Sequence, residues 1–289
     1  MASRRPAASS SPDFKGSTGD RAEDHGQGTI RLLQLSDMHL FAEPDGRLLG
    51  QNTRKTFEAV VAQAQTHHWP PDAILFTGDL VHDEQLAGYR WLKGRLAQLA
   101  VPCYCIPGNH DRVDLIAGYL DPHAIESLRV IQIGDWDIVL LDSSIPYEEG
   151  GYLFPHILTG LDQHLGQQPK RPTLICLHHQ PIPMGSEWLD TMMVENRADL
   201  MTIVEHHLQV RAIAWGHVHQ ALTTQRGTIR MLSAPSTCIQ FQPGSEEFAL
   251  DTATPGYRWL ELHVDGEIET GIERIDAYPD PLRLTDGGY

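Results

Sequence analysis

The chain is short of positive charge: 22 lysines and arginines face 38 aspartates and glutamates, a net of −16 over 289 residues. No Lys/Arg-rich tract interrupts that balance. A nucleic-acid backbone is gripped by cations that displace its counterions, so polymeric DNA or RNA is excluded as a partner. A small anionic substrate stays open where a local positive centre, such as bound divalent metal, overrides the global field. Also missing is any run of about 18 apolar residues, which removes a membrane-spanning helix. Met1 to Gly28 is rich in Ser, Pro and Gly, with Arg4 and Arg5, but lacks the apolar stretch of about 7–15 residues that a secretory signal needs. It reads as a disordered lead-in to a single domain over 29–289, and cytoplasmic residence is the expectation. Cysteine is scarce. Cys103-x-Cys105 has neither the redox nor the paired zinc spacing, and with Cys176 and Cys238 it reads as small buried apolar side chains in a reducing compartment.

Short apolar runs ending in polar clusters are what the sequence does contain. Ile30 to Leu35 reads as a buried strand followed by Ser36-Asp37-Met38-His39. Asn52 to Thr66 has helical spacing at Phe57, Val60, Val61 and Ala64, closed by Trp69-Pro70-Pro71. The strand Ala73 to Phe76 ends in Thr77-Gly78-Asp79, and a helix over Glu84 to Leu99 follows. The strand Val101 to Ile106 then runs into Pro107-Gly108-Asn109-His110-Asp111. This β-α-β-α-β alternation predicts parallel strands joined by crossovers. Further on, Gly134-Asp135 turns a hairpin between Val130–Ile133 and Trp136–Leu141, and a short helix covers Gly160 to Gln167. The strand Thr173 to Leu177 ends in His178-His179. An irregular loop of a length common in lids and binding loops spans Gln180 to Arg197. After a helix over Ala198 to Leu208, the strand Val210 to Trp215 ends in Gly216-His217-Val218-His219, and hairpins at Arg226-Gly227 and Asp265-Gly266 finish the chain. The expected fold is an α/β, four-layer α-β-β-α sandwich: two mixed sheets face to face, flanked by helices.

Five polar clusters terminate five strands, where open α/β sheets place their binding crevices. They supply seven oxygen and nitrogen donors: Asp37, His39, Asp79, Asn109, His178, His217 and His219. Seven are too many for one ordinary zinc and suit two ions bridged by a carboxylate; the lack of thiolates favours Fe, Mn, Zn or Co. Two ions about 3.5–4 Å apart clamp a phosphoryl group during in-line displacement. The i, i+2 spacing in Asp37-x-His39 and His217-x-His219 aims each pair one way from an extended strand end. Gly78, Gly108 and Gly216 free the backbone to turn a donor inward.

The ordered set Asp-x-His, Gly-Asp, Gly-Asn-His-Asp, His, Gly-His-x-His resembles the calcineurin-like metallophosphoesterase superfamily. Within it, Leu177-His178-His179-Gln180-Pro181, Trp188-Leu189-Asp190 and Pro235-Ser236-Thr237-Cys238-Ile239-Gln240-Phe241 resemble the bacterial class III cyclic-nucleotide phosphodiesterases. The likeness runs from Ile30 to Gly287-Gly288-Tyr289. It implies one metal held by Asp37, His39, Asp79 and His219, and a second held by Asp79, Asn109, His178 and His217. Fe²⁺ or Mn²⁺ is favoured, and Asp79 bridges. It also implies hydrolysis of 3′,5′-cyclic AMP to 5′-AMP by a metal-bridging hydroxide. His110 would act as the non-ligand catalytic histidine, with Asp111 orienting it, and His39, Asn109, His110 and His219 would approach the phosphate. Asp111 stands where many members have Glu, and Gln180 where the subfamily often has a third histidine. Rival readings are a phosphomonoesterase, a 2′,3′-cyclic nucleotide phosphodiesterase, or a non-catalytic scaffold of the same fold. Scaffold relatives tend to lack the histidine that His110 supplies.

Other residues carry plainer expectations. His67-His68 and His206-His207 sit at helix ends, where surface imidazolium complements the dipole. Strand alternation sends His179 away from His178, toward a structural or supporting role. Trp188 and Phe241 either stack on a base or fill the core.

Overall fold

The computed structural model describes residues 28–283. The proposed lead-in up to Asp24-His25-Gly26-Gln27 and the terminal Gly287-Gly288-Tyr289 lie outside them. In chain order the elements are β1 (Ile30–Leu35), the short pair β2 (Arg47–Leu48) and β3 (Gln51–Asn52), α1 (Thr53–His67), β4 (Ala73–Thr77), α2 (Leu86–Leu99), β5 (Cys103–Ile106) and α3 (Val113–Tyr119). Next come β6 (Leu128–Ile133), β7 (Trp136–Leu141), α4 (Pro155–Gln167), β8 (Thr173–Leu177), the one-turn α5 (Glu187–Asp190), α6 (Arg197–His206) and β9 (Val210–Trp215). The hairpin β10 (Leu222–Arg226)–β11 (Ile229–Ser233), the small pair β12 (Gln240–Phe241) and β13 (Leu250–Asp251), and the hairpin β14 (Gly256–Leu262)–β15 (Ile268–Arg274) complete the set.

One mixed sheet has the order β15-β14-β1-β4-β5, with β1, β4 and β5 parallel. The other runs β10-β11-β9-β8-β7-β6, with β7, β8, β9 and β11 parallel. Strand alternation builds the layers. Leu32, Ala73, Leu75, Leu174, Cys176, Ala212 and Ala214 meet between the sheets. Their neighbours Leu33, Leu35, Ile74 and Phe76 face outward onto α1 and α2, whereas Ile175, Leu177, Ile213 and Trp215 face α4 and α6. Burial on both faces is why these strands read as unbroken apolar runs. The four-layer α-β-β-α sandwich is the architecture expected from the sequence.

The sheets are also tied by polar bonds. Arg258, fully buried on β14, donates to Ser233 O and Leu222 O of the opposite sheet. Gln34 on β1 donates to Trp215 O on β9. That second bond lies within two residues of the polar clusters after β1 and β9, and it registers the carboxyl ends of the two sheets against each other.

Some local expectations shift. Helix α4 begins at Pro155, five residues earlier than its periodicity suggested, because Pro supplies the fixed φ of a first turn. The 180–197 loop contains α5. His68 is not a free surface cation: its ring stacks on Trp259 at 5.3 Å, Nδ1 meets Tyr257 Oη at 2.8 Å, and burial lowers its pKa. All four cysteines are free thiols, three of them buried. Cys103 and Cys105 pack into one cluster, on one face of β5.

Candidate functional site

The loops after β1, β4, β5, β8 and β9 converge where the two sheets meet. Their backbones are unusual: Asp37, His39, Asp79, His217 and His219 all have φ between 46° and 64°. Each such left-handed residue costs about 1–3 kcal/mol and persists only when its surroundings hold it. Here they do. Asp37 N–H donates to Gly78 O (3.0 Å), His39 N–H to Asp79 O (2.9 Å) and His217 N–H to Asp37 Oδ1 (2.9 Å), while Ser236 Oγ donates to Asp37 O (2.7 Å). The i, i+2 pairs therefore aim together because both members are left-handed, not because the strand end is extended. Of the three glycines, Gly78 supplies a φ of +95°. Gly108 and Gly216 instead give room: a Cβ on either would collide with Asp79 Oδ1 or Ser36 Oγ.

All seven expected donors are brought together. Asp37, His39, Asp79 and His219, each buried, form one group that can hold a cation. In it His39 Nε2 lies 3.1 Å from His219 Nε2 and 3.6 Å from Asp79 Oδ2, and His219 Nε2 lies 3.6 Å from Asp37 Oδ1. In the second group Asn109 Oδ1 lies 3.1 Å from His178 Nε2 and 3.0 Å from His217 Nδ1, with Asp79 Oδ1 3.4 Å from His178 Nε2. Asp79 belongs to both.

The hydrogen bonds of these side chains leave room for cations. His178 Nδ1–H donates to Thr77 O (2.8 Å) and His219 Nδ1–H to Ile239 O (2.9 Å), because a carbonyl only accepts. Neutral His219 then turns its Nε2 lone pair toward His39 Nε2 and Asp37 Oδ1, and His178 Nε2 faces the oxygens of Asp79 and Asn109, which call for a proton or a cation between them. Asp37 Oδ2 is buried with no hydrogen-bond partner. Converging lone pairs and orphaned buried acceptors are costly alone and are satisfied by cations. The donor set fits two of them.

The electrostatics agree. Burial, with repulsion from Asp79, raises Asp37 to about 7. Burial acts the same way on Asp79, but the surrounding imidazoles, His178 foremost, outweigh it and hold Asp79 well below the usual carboxylate range. Burial opposes charge on His178 too, and the attraction of Asp79 overcomes it, lifting His178 to about 9. In the cation-free chain a proton thus sits on His178 where a cation fits. Burial drives His219 and His179 down to about 3, His82 to about 4, and His39 and His217 well below their ordinary value.

A pH dependence follows for chelated protein. Between about pH 4 and 6.5 these five imidazoles are neutral when folded and protonated when unfolded, so their contribution is lost as pH falls. Asp37 and Asp111, raised to about 7 and about 6, and Asp142, also raised by burial, act oppositely over that window, but these three oppose the five imidazoles and His68, whose value burial also lowers. Unfolding free energy is expected to fall as pH drops from 6.5 to 4. Urea titrations of chelated protein across that range check it; a flat or rising stability would contradict it.

Two expectations change. Asp111 is read from sequence as the carboxylate that orients His110, yet it grips backbone: it accepts from the N–H groups of Leu80, Val81 and Gly108 and from Tyr89 Oη. Those bonds fill a carboxylate's lone pairs, so Asp111 clamps the 108–111 turn onto the loop carrying Asp79. His179 does not point away from the site. Alternation ends with β8, and its ring centroid lies 4.8 Å from that of His217. Its Nδ1 meets Ser143 Oγ (2.9 Å) and its Nε2 meets Glu149 O (3.2 Å), a supporting position between the site and the 143–149 loop.

His110 is half-buried beside both groups, its N–H donating to Asp79 Oδ1 (3.0 Å). It borders a cleft of about 420 Å³ that Asn109 and His217 also line. Trp188, Phe248, Glu84, Glu148 and Glu149 line it as well. Phe241 stacks on His219 (4.0 Å, 7°), is buried, and also lines the cleft. Trp188 donates its Nε1–H to Ser245 Oγ and meets Phe241 edge-on. Sequence reading missed His82, which lies against His39 and His110; its only signal was its place three residues after Asp79.

A calcineurin-like phosphoesterase family model matches residues 30–221, and the chain belongs to that family. More particularly, it is 41% identical over 261 residues to the 3′,5′-cyclic adenosine monophosphate phosphodiesterase CpdA of Pseudomonas aeruginosa, covering 90% of this chain and 96% of that one. It is 38% identical over 264 residues to the protein of the same name from Escherichia coli, covering 91% and 96%. Among solved structures, a dimetal phosphatase from Danio rerio shares the fold, with a TM-score of 0.62 at 13% identity over 86% of this chain and all of the other.

Proposed function

We propose that the chain is a dinuclear-metal phosphodiesterase that hydrolyses 3′,5′-cyclic AMP to 5′-AMP. The observation that carries this reading is the pair of donor groups sharing Asp79 and bordering a cleft of nucleotide size. Asp37, His39, Asp79 and His219 would hold one cation; Asp79, Asn109, His178 and His217 would hold the other. A donor set of oxygen and imidazole without thiolate suits Fe²⁺ or Mn²⁺. Bound there, the pair supplies Lewis-acid charge at the phosphoryl oxygens and a strong oxygen nucleophile at neutral pH.

The chain's own residues do the rest. His39, Asn109, His110 and His219 border the phosphate. His110, facing the cleft and outside both donor groups, protonates the departing 3′-oxygen, which would otherwise leave as a poorly stabilised alkoxide. Asp111 acts through the backbone, fixing the turn that presents Asn109 and His110. The nucleoside lies along Trp188 and Phe248, an apolar wall suited to a purine. Glu84, Glu148 and Glu149 around the cleft favour a singly charged diester over a doubly charged monoester, since like charges repel. This speaks for the cyclic diester over the phosphomonoester reading. Residues 29–289 serve as one domain, because β14 near the C-terminus pairs with β1. Among the described residues no helix is long and apolar enough to cross a membrane. Four free cysteines suit the reducing cytoplasm.

The test is hydrolysis by Mn²⁺-loaded protein of cyclic AMP, 5′-AMP and 2′,3′-cyclic AMP in parallel. Cyclic AMP should be consumed with at least about tenfold higher kcat/KM than the others, a difference of about 1.4 kcal/mol. Preference for 5′-AMP, or turnover of none, would overturn the reading.

A further inference from the structure

We infer that His82 is a positioning residue that fixes a metal ligand and the leaving-group acid at once: it accepts the Nδ1 proton of His39 and stacks under the ring of His110. The inference rests on the proposed dinuclear phosphodiesterase site and deepens it. His39 Nε2 faces the first donor group, 3.1 Å from His219 Nε2 and 3.6 Å from Asp79 Oδ2. A neutral imidazole that gives its Nε2 lone pair to a cation carries its proton on Nδ1. That nitrogen lies 3.1 Å from His82 Nδ1, which must then accept and keep its own proton on Nε2. Hydrogen bonds of this kind lock a ligand's tautomer and ring angle and raise its basicity.

The neighbouring ligands show why this contact differs. His178 and His219 turn Nδ1 to the backbone carbonyls of Thr77 and Ile239, acceptors that no side-chain substitution removes. His39 instead meets a side chain, so its orientation depends on residue 82. The same ring lies nearly parallel to that of His110, with centroids 4.7 Å apart and 24° between planes. It meets His39 edge-on at 5.2 Å and rests against Phe41 at 5.0 Å. His82 is thus held from behind while it supports both rings.

His39, His82 and His110 also bring nitrogens close enough to hold a cation of their own. That arrangement would require His39 to bind through both nitrogens, with three imidazoles and no carboxylate to balance the charge. The positioning role needs neither.

The test uses full-length His82→Phe, which keeps a ring but no acceptor, and His82→Asn, which keeps an acceptor but no ring. Mn²⁺ affinity and stoichiometry are read by competition with a chelator, with no substrate present. Turnover is then read at saturating Mn²⁺ on cyclic AMP and on bis-p-nitrophenyl phosphate, whose leaving group needs no proton. His82→Phe should bind its weaker Mn²⁺ about 10–100-fold less tightly, and His82→Asn should recover most of that loss. His82→Asn should instead lose about tenfold in kcat on cyclic AMP while sparing the aryl ester, with KM little changed. Wild-type Mn²⁺ affinity in His82→Phe, equal losses on both substrates in His82→Asn, or three Mn²⁺ per wild-type chain would overturn the inference. Because affinity is measured without substrate, a wild type inactive on cyclic AMP would remove the functional reading and leave the affinity result standing.

Discussion

Asp79→Asn protein should fold, bind fewer than two Mn²⁺ per chain and hydrolyse cyclic AMP about a thousandfold more slowly than wild type. Asp79 lies within 3.4–3.6 Å of donors in both groups: His178 Nε2 on one side and His39 Nε2 on the other. Its carboxylate is held ionised by the imidazoles around it. Asn has nearly the same shape but carries no charge and presents one oxygen where two are needed. Losing Lewis-acid stabilisation worth about 4 kcal/mol corresponds to about three orders of magnitude in rate. Elemental analysis and steady-state assay of one preparation check both halves. Full metal content with normal turnover would show that Asp79 is no bridge.

His110→Ala should behave in the opposite way toward metal. His110 belongs to neither group that shares Asp79, so two Mn²⁺ should remain bound. The rate on cyclic AMP should fall about 10²–10⁴-fold, the usual contribution of a positioned acid, mostly in kcat. A p-nitrophenyl diester, with a stable phenolate leaving group, should lose far less. Equal losses on both substrates would argue that His110 binds phosphate and does not deliver a proton.

These outcomes depend on features the sequence exposes to different degrees. The seven donors are legible because each follows an apolar run whose two-sided burial forces it to be a strand, and the strand's end fixes where the donor lies. What brings them together is not legible. The left-handed backbones of Asp37, His39, Asp79, His217 and His219 depend on bonds between loops far apart in sequence, such as His217 N–H to Asp37 Oδ1. Asp111 was misread for a related reason. Adjacency to His110 suggests an imidazole partner, whereas its acceptors are filled by amides of Leu80 and Val81, about 30 residues earlier in the chain. Alternation carried two residues past the end of β8 sends His179 to the wrong face. His82 shares the loop after β4 with Asp79, but its spacing gives no hint of the His39 and His110 contacts that the packing of three loops creates. The layers, by contrast, are readable, because continuous apolar strands that alternate with helical patterns require cover on both faces of each sheet.

The central claim is that two cations share Asp79. Anomalous diffraction from crystals of Mn²⁺-loaded protein tests it most directly. Two peaks are expected about 3.5–4 Å apart on either side of the Asp79 carboxylate, one beside Asp37, His39 and His219 and the other beside Asn109, His178 and His217. A single peak, or two that leave Asp79 untouched, would contradict it.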